Sequence, residues 1–315
     1  VPKLKVGNGP ALPGSPTHLG DRHAAPPQVH IEPTLTNVAS AEIVIVRRMV
    51  AAIHTQTSLF NDLISLGVYA GDGLFVHGSM SAVGATVGGA RTIVESLLKA
   101  VGGTGLVGMP DFSSDACFPA EVDLSRLTQD QIAEIEDAVP GFDVAKSTTS
   151  GMGVIAETFR TWPGTQRSDH PAVSICLNGE KANDFLKEHS LAWATGEKTP
   201  LGKLRDRKAM RILLIGVGWN RCSALHTAET FAQHKRTKTR RFKNGGPNGS
   251  WIETPDVTDD TNRLFPKIGE AFEKTGAVSF GKFGGAECKL CDFRSLVDFA
   301  TGWIDCSNKR SGDLS

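Results

Sequence analysis

Four short apolar runs, LFVHGS, LVGMP, AVSICLNG and RILLIGVG, restrict this 315-residue chain more than any other feature. Each is a strand's length of apolar residues closed by a glycine, a proline or a small polar residue, the pattern of a short buried strand. Helical patterns lie among them: SLFNDLISLGV, ended by Gly67; ARTIVESLLKA, apolar at 93, 94, 97 and 98; EKANDFLKEH; and SALHTAETFAQH. Strands interleaved with helices mean an α/β fold. A 40% hydrophobic content with 34 glycines and one tyrosine suits such a fold with many tight turns. Further on, the sequence predicts a surface strand in HKRTKTRRFK, a helix in TDDTNRLFPKIGEAFEKTG, one strand in AVSFGKFGGAECKL and a last helix in FRSLVDFATGWI. Residues 1–39, rich in Pro and Gly, read as a poorly ordered leader, and residues 40–315 as one domain with an insert at about 111–145.

The chemistry concentrates between Ser150 and Glu229, where His170, His189, His226 and Glu229 stand among small residues and apolar runs. Two strand ends and two helices carry the histidines toward one edge of a sheet. With Ser223 as N-cap, His226 is the third helical residue and Glu229 lies one turn further along the same face. The two can share a hydrogen bond or converge on a third group. His189 is expected at the end of its helix, where the last carbonyls favour a protonated imidazole. Singly, each histidine reads as a surface or core residue satisfied by its neighbours; together they read as an acid–base site.

Thirty-four basic and 34 acidic residues cancel, so no bulk charge draws the chain to nucleic acid or an anionic membrane. No run approaches the roughly 20 apolar residues of a membrane span. Six cysteines (117, 176, 222, 288, 291 and 306) without a signal peptide point to reduced thiols in a cytoplasm. Cys288 and Cys291 form a lone CxxC that reads as two positions on a strand; a zinc ribbon needs a second pair, and no metal is expected. Gly103, Gly105 and Gly108 spell GxGxxG between a helix and a strand, the reverse of the dinucleotide order, while Gly216 and Gly218 lack the third glycine. Gly88 and Gly89 open ARTIVESLLKA, where backbone N–H groups would suit a phosphate or where glycine merely permits close packing.

Nine acids (111, 115, 121, 123, 130, 134, 136, 137 and 143) face one base, Arg126, across residues 111–143. Some belong to the helix LTQDQIAEIEDAV, whose Thr128 and Gln131 resemble a capping box. Asp111 and Asp115 fall just past a strand end and are expected to form an acidic rim that favours a cationic substrate. Six Lys and Arg between 235 and 243 read as a surface strand, with a phosphate contact as the second reading.

LFVHGSMSAVGATVGGARTIVESLLKAVG, SGMGVIAETFRTWPGTQRSDHPAVS, TGEKTPLGKL and ILLIGVGWNRCSALHTAE together resemble the aminoglycoside 3-N-acetyltransferases, a family distinct from the GNAT fold, over about Thr57 to Gly302. The combination of RSxHPxxS with HxAE carries the resemblance. It implies a three-layer α/β/α sandwich around a central mixed sheet that uses acetyl-CoA to acetylate an aminoglycoside amino group, the 3-amino group by analogy. It also implies that His77, Gly78, Ser79 and Met80, then Val87, Gly88 and Gly89, then Ser150, Gly151, Met152 and Gly153 hold acetyl-CoA. His170, His189, His226 and Glu229 would line the reaction centre; the acids Asp111 and Asp115 of the rim, with Glu157, are the candidates for holding the amine. Gly78-Ser79 stands where the family has a serine pair, and Thr199 where it has a serine before proline. An alkylammonium must lose a proton before it can attack a thioester, so a general base is required. His189 is expected to be that base, oriented by Glu229 or a neighbouring carboxylate, with oxyanion donors from the glycine-rich turns or His226. A thiolate leaves without strong acid help, so direct transfer suffices. We expect a cytoplasmic monomer or homodimer with no metal, nucleic-acid or membrane partner. An acetyltransferase of another small amine, or a CoA-binding relative without turnover, are the competing expectations.

Overall fold

In the computed structural model, strand β1 (Gly73–Gly78) sends Leu74 and Val76 to one core and Phe75 to another, all of them buried. A strand apolar on both sides needs a cover on both sides. Helices α1 (Gln56–Leu66), α2 (Met80–Val83) and α3 (Ala90–Val101) supply one cover. The described residues are 52–113, 116–119, 122–258 and 260–312; the leader expected at 1–39 lies outside them, as does Asp115.

Strand β2 (Leu106–Pro110) follows α3, then α4 (Gln129–Ala138) in the acidic insert, α5 (Val154–Arg160), which joins the first cover, β3 (Gln166–Arg167) and β4 (Ile175–Gly179). The second cover is α6 (Ala182–Leu186), α7 (Pro200–Asp206), α8 (Ala224–Phe231), α9 (Phe265–Glu273) and α10 (Phe293–Gly312). Strand β5 (Met210–Ile215) lies between α7 and α8 and divides as β1 does, Ile212 and Leu214 against Leu213 and Ile215. Strands β6 (Thr237–Asn244) and β7 (Ser250–Val257) form a separate antiparallel hairpin. With β8 (Val278–Phe283) and β9 (Ala286–Asp292), the main sheet runs β3-β4-β2-β1-β5-β9-β8. β1 is parallel to β2 and β5, and the outer pairs are antiparallel, so the sheet is mixed and the layers are those of the expected sandwich.

Local chemistry explains most boundaries. Thr55 and Ser58 cap α1 reciprocally and Gly67, at φ 98°, ends it. Thr128 and Gln131 form the capping box that the sequence spells at α4. Three expectations change. AVSFGKFGGAECKL is two strands, folded at Gly284-Gly285, with Cys288 and Cys291 both buried in β9. The last long helix before them starts only at Phe265, because Pro266 has no N–H and fits the first turn. Helix α6 ends at Leu186, so His189 is not at a helix end.

The basic run is strand β6, as read, and its charges are largely engaged. Arg241 pairs with Glu136 of α4, Lys243 Nζ donates to Glu136 O at 3.0 Å and Val139 O at 3.2 Å, and Arg236 meets Asp260 at 2.8 Å. The Arg241 and Lys243 bonds, with bridges from Cys117 to Phe242 and Phe142 to Asn244, fix the insert to the hairpin.

Candidate active site

Because β1, β2 and β5 are parallel, their C-terminal ends meet at one edge, where α/β folds place their sites. A cleft of about 720 Å³ opens there. Its walls are His77–Ser81 after β1, Met109, Pro110 and Phe112 at the end of β2, Ser150–Ala156 leading into α5, Asn220–Ser223 and His226 after β5, and Arg240, Asp256 and Val257 from the hairpin. Gly151 and Gly153 have φ of 69° and 85°, and a Cβ on either would meet no atom within 4 Å. Backbone of that turn therefore faces open space in a conformation only glycine adopts without strain, a cradle that a side chain would fill.

His226 is the third residue of α8, as its spacing requires, and its Nδ1 lies 2.7 Å from Glu229 Oε2. Glu229 is 4% exposed, and its other oxygen accepts the Asp260 N–H at 3.2 Å. Burial pushes the Glu229 carboxyl up, and the bond to His226 opposes that rise. Ser223 precedes the helix, but its side chain makes no capping bond; its backbone N–H donates to His77 Nε2 at 3.3 Å instead.

His170 and His189 sit together behind this wall, ring centroids 4.6 Å apart, and neither lines the cleft. His170 Nδ1 accepts from the N–H groups of Ala172 and Val173, at 3.1 and 3.0 Å, and so fixes a turn whose residues do line it. His189 Nε2 is 2.8 Å from Ala194 O, so it carries the proton; Nδ1 then accepts from the Ser168 hydroxyl, also at 2.8 Å. Burial pulls the imidazoles down to about 4 for His170 and about 3 for His189, the latter helped by the neighbouring His170. This overturns the expectation of a helix-end base that holds its proton readily: His189 is neutral, with both nitrogens engaged.

With this geometry in hand, the likeness to known proteins is informative. A family model described as aminoglycoside 3-N-acetyltransferase matches residues 75–305. The chain belongs to that family. The SPbeta prophage-derived aminoglycoside N(3')-acetyltransferase-like protein YokD of Bacillus subtilis (strain 168) is 32% identical over 257 residues, covering 80% of this chain and 92% of YokD. The solved structure of AAC-IIIb in binary complex with CoASH matches with a TM-score of 0.70 at 29% identity, covering 81% of this chain and 98% of that one. AAC-VIa bound to sisomicin matches with a TM-score of 0.72 at 27% identity, covering 81% and 99%.

Of the positions the family resemblance assigns, His77, Gly78, Ser79, Met80, Ser150, Gly151, Met152, Gly153 and His226 share the cleft. Val87, Gly88 and Gly89 do not line it; they lead into α3, with Val87 exposed. Asp111 is not on a rim. It is 1% exposed and paired with Arg167, and burial raises its carboxyl to about 7 against the pull of that arginine. The guanidinium spends its hydrogen bonds elsewhere, on Ser174 Oγ, Ser113 Oγ, Ser147 O and Asp111's own carbonyl. Glu157 is held by Arg160 at 2.6 Å and by the Thr149 N–H at 3.1 Å, outside the cleft lining. Sequence reading missed Arg221 and Asp256, which do line it, as does Arg240 of the basic run whose second reading was a phosphate contact. Asn220 and Arg221, directly after RILLIGVG, carried a usable signal in their position past a strand end. Asp256 carried none.

Proposed function

We propose that this protein transfers the acetyl group of acetyl-CoA directly to an amino group of an aminoglycoside, the 3-amino group by family analogy, with His226 as general base. One observation carries the reading: a histidine–carboxylate pair 2.7 Å apart stands in the wall of the cleft that also holds the SGMG turn. Glu229 accepts the Nδ1 proton of His226 and leaves Nε2 as the basic nitrogen. As that nitrogen takes the proton of the incoming ammonium, the carboxylate stabilises the imidazolium through a charge-assisted bond. Bound acetyl-CoA supplies a thioester whose thiolate leaves without strong acid help. Gly151 and Gly153 offer exposed backbone to that ligand, and AAC-IIIb was solved with CoASH in a related fold. No described helix is long and apolar enough to cross a membrane.

A second reading, acetylation of a small amine that is not a polycation, is favoured by one observation. Asp256 and Asp260, the buried carboxylates of the described hairpin end, are paired with Arg240 at 2.5 Å and with Arg263 at 2.7 Å. Sisomicin on AAC-VIa supports the first reading. Thiol release from acetyl-CoA, measured with aminoglycosides and with monoamines, separates the two. Release with neither class would leave a CoA-binding protein without turnover.

A further inference from the structure

His77, the last residue but one of β1, lines the cleft beside the Gly78–Met80 segment, with 6% of its surface exposed. Its Nε2 receives the backbone N–H of Ser223 at 3.3 Å. A backbone N–H can only donate, so Nε2 must be the acceptor and the imidazole proton must sit on Nδ1. The Phe75 ring, edge-on with centroids 5.3 Å apart, holds the imidazole plane. Burial, seconded by His226 nearby, keeps this histidine neutral down to about pH 3. Two histidines therefore share one cleft with different first partners: a carboxylate oxygen stands against His226 Nδ1, whereas a backbone N–H donates to His77 Nε2.

We infer that His77 is a preorganised neutral N–H donor, its Nδ1–H serving the carbonyl oxygen of the acetyl group during transfer. The inference rests on the transferase reading above. In that step one ammonium proton passes to His226, the amine nitrogen bonds to the acetyl carbon, the carbon–sulfur bond breaks with its electron pair going to sulfur, and the second proton that the nitrogen sheds on becoming an amide is taken up by the departed thiolate to give the free thiol. The carbonyl oxygen gains negative charge on the way, and a fixed neutral donor stabilises it without offering the amine a competing acid. Unlike a rotating hydroxyl, a ring pinned by Ser223 and Phe75 needs no reorganisation when that charge appears.

Two variants separate this role from a structural one. The amide nitrogen of Asn can stand where Nδ1 stands, whereas the amide of Gln reaches the Nε2 position. His77→Asn keeps a donor toward the cleft and abandons Ser223; His77→Gln keeps an acceptor for Ser223 and abandons the cleft. Expected results are a loss of about 100-fold or more in kcat for His77→Gln, a smaller loss for His77→Asn, and CoA affinity by calorimetry within about threefold of wild type for both. Long-range proton–nitrogen NMR of the wild-type protein should show the Nδ1–H tautomer, whether or not either variant folds. Greater activity in Gln than in Asn, or a proton on Nε2, overturns the inference. Wild-type protein that releases no thiol with any amine overturns the transferase reading and this inference with it.

Discussion

Replacing Glu229 by Gln tests the proposed base at the smallest cost in shape. The Asp260 N–H, 3.2 Å from Oε1, donates, so the amide must turn its oxygen that way and its NH2 toward His226 Nδ1, which now stands 2.7 Å from a carboxylate oxygen. An NH2 can only donate. Nδ1 then becomes the acceptor, the imidazole proton moves to Nε2, and the nitrogen meant to take a proton already holds one. General bases contribute about 10² to 10⁴ in rate, or about 3 to 5 kcal/mol at 1.36 kcal/mol per decade, so kcat should fall by that factor with the Michaelis constant for acetyl-CoA nearly unchanged. Stability should move the other way. Burial raises the Glu229 carboxyl above its unfolded value, so the folded state holds that proton to higher pH and pays for the charge once it is lost. The amide removes that burden, and the melting temperature at pH 8 should equal or exceed that of wild type. The assay is thiol release from acetyl-CoA beside a thermal melt. A variant that turns over at near wild-type rate refutes the base assignment; one that is inactive because it unfolds makes Glu229 structural.

His189→Ala should leave kcat per folded molecule within about tenfold while lowering stability by roughly 2–4 kcal/mol, the range for a cavity with an orphaned buried acceptor; a hundredfold loss in kcat with an unchanged melt would restore it as the base. Below pH 6.5 the protein should lose stability, because His77, His170 and His189 are held neutral to about 3–4 in the fold, and an unfolded chain takes up their protons first. Asp111, raised to about 7, works in the opposite sense, its contribution falling as pH rises from about 4; three histidines outweigh it, and a flat urea-unfolding midpoint between pH 4.5 and 7 would contradict the balance. Gly151→Val should weaken CoA binding by about tenfold or more through the open turn, and Gly88→Val by less, although its Cβ would stand 2.5 Å from Thr92 Oγ1 and so cost stability. Equal effects on CoA affinity would bring the start of α3 into the site.

Where local rules act alone, the sequence was readable: the Thr128–Gln131 capping box, the Gly67 stop and the one-turn spacing of His226 and Glu229 all appear as written. His189 was misplaced because a local pattern, EKANDFLKEH, extended the helix through it, whereas Ser168 and Ala194, remote or later in the chain, claim its ring. Asp111 was legible in principle. It stands between Pro110 and Phe112, both of which face the cleft, so strand alternation turns it away from them. The charges of β6 could not be read from composition at all. Their partners come from pairing with β7, which sets Arg241 opposite Glu253, and from α4 more than a hundred residues earlier, where Glu136 receives Arg241.

The histidines at this sheet edge show why residue type under-determines role. All four are the same chemical group, and burial keeps His77, His170 and His189 neutral. What distinguishes them is the first partner each nitrogen meets. Backbone N–H groups hold His77 and His170 as acceptors, and a carbonyl with a hydroxyl holds His189 as a donor and acceptor, so none of these gains from becoming a cation. His226 instead meets Glu229, a carboxylate whose own burial is relieved when the imidazole beside it becomes charged. An imidazolium formed at His226 during transfer therefore has a charge-assisted partner already in place, 2.7 Å away. That pairing, rather than the number of histidines gathered at the edge, is the physical reason for placing proton transfer there.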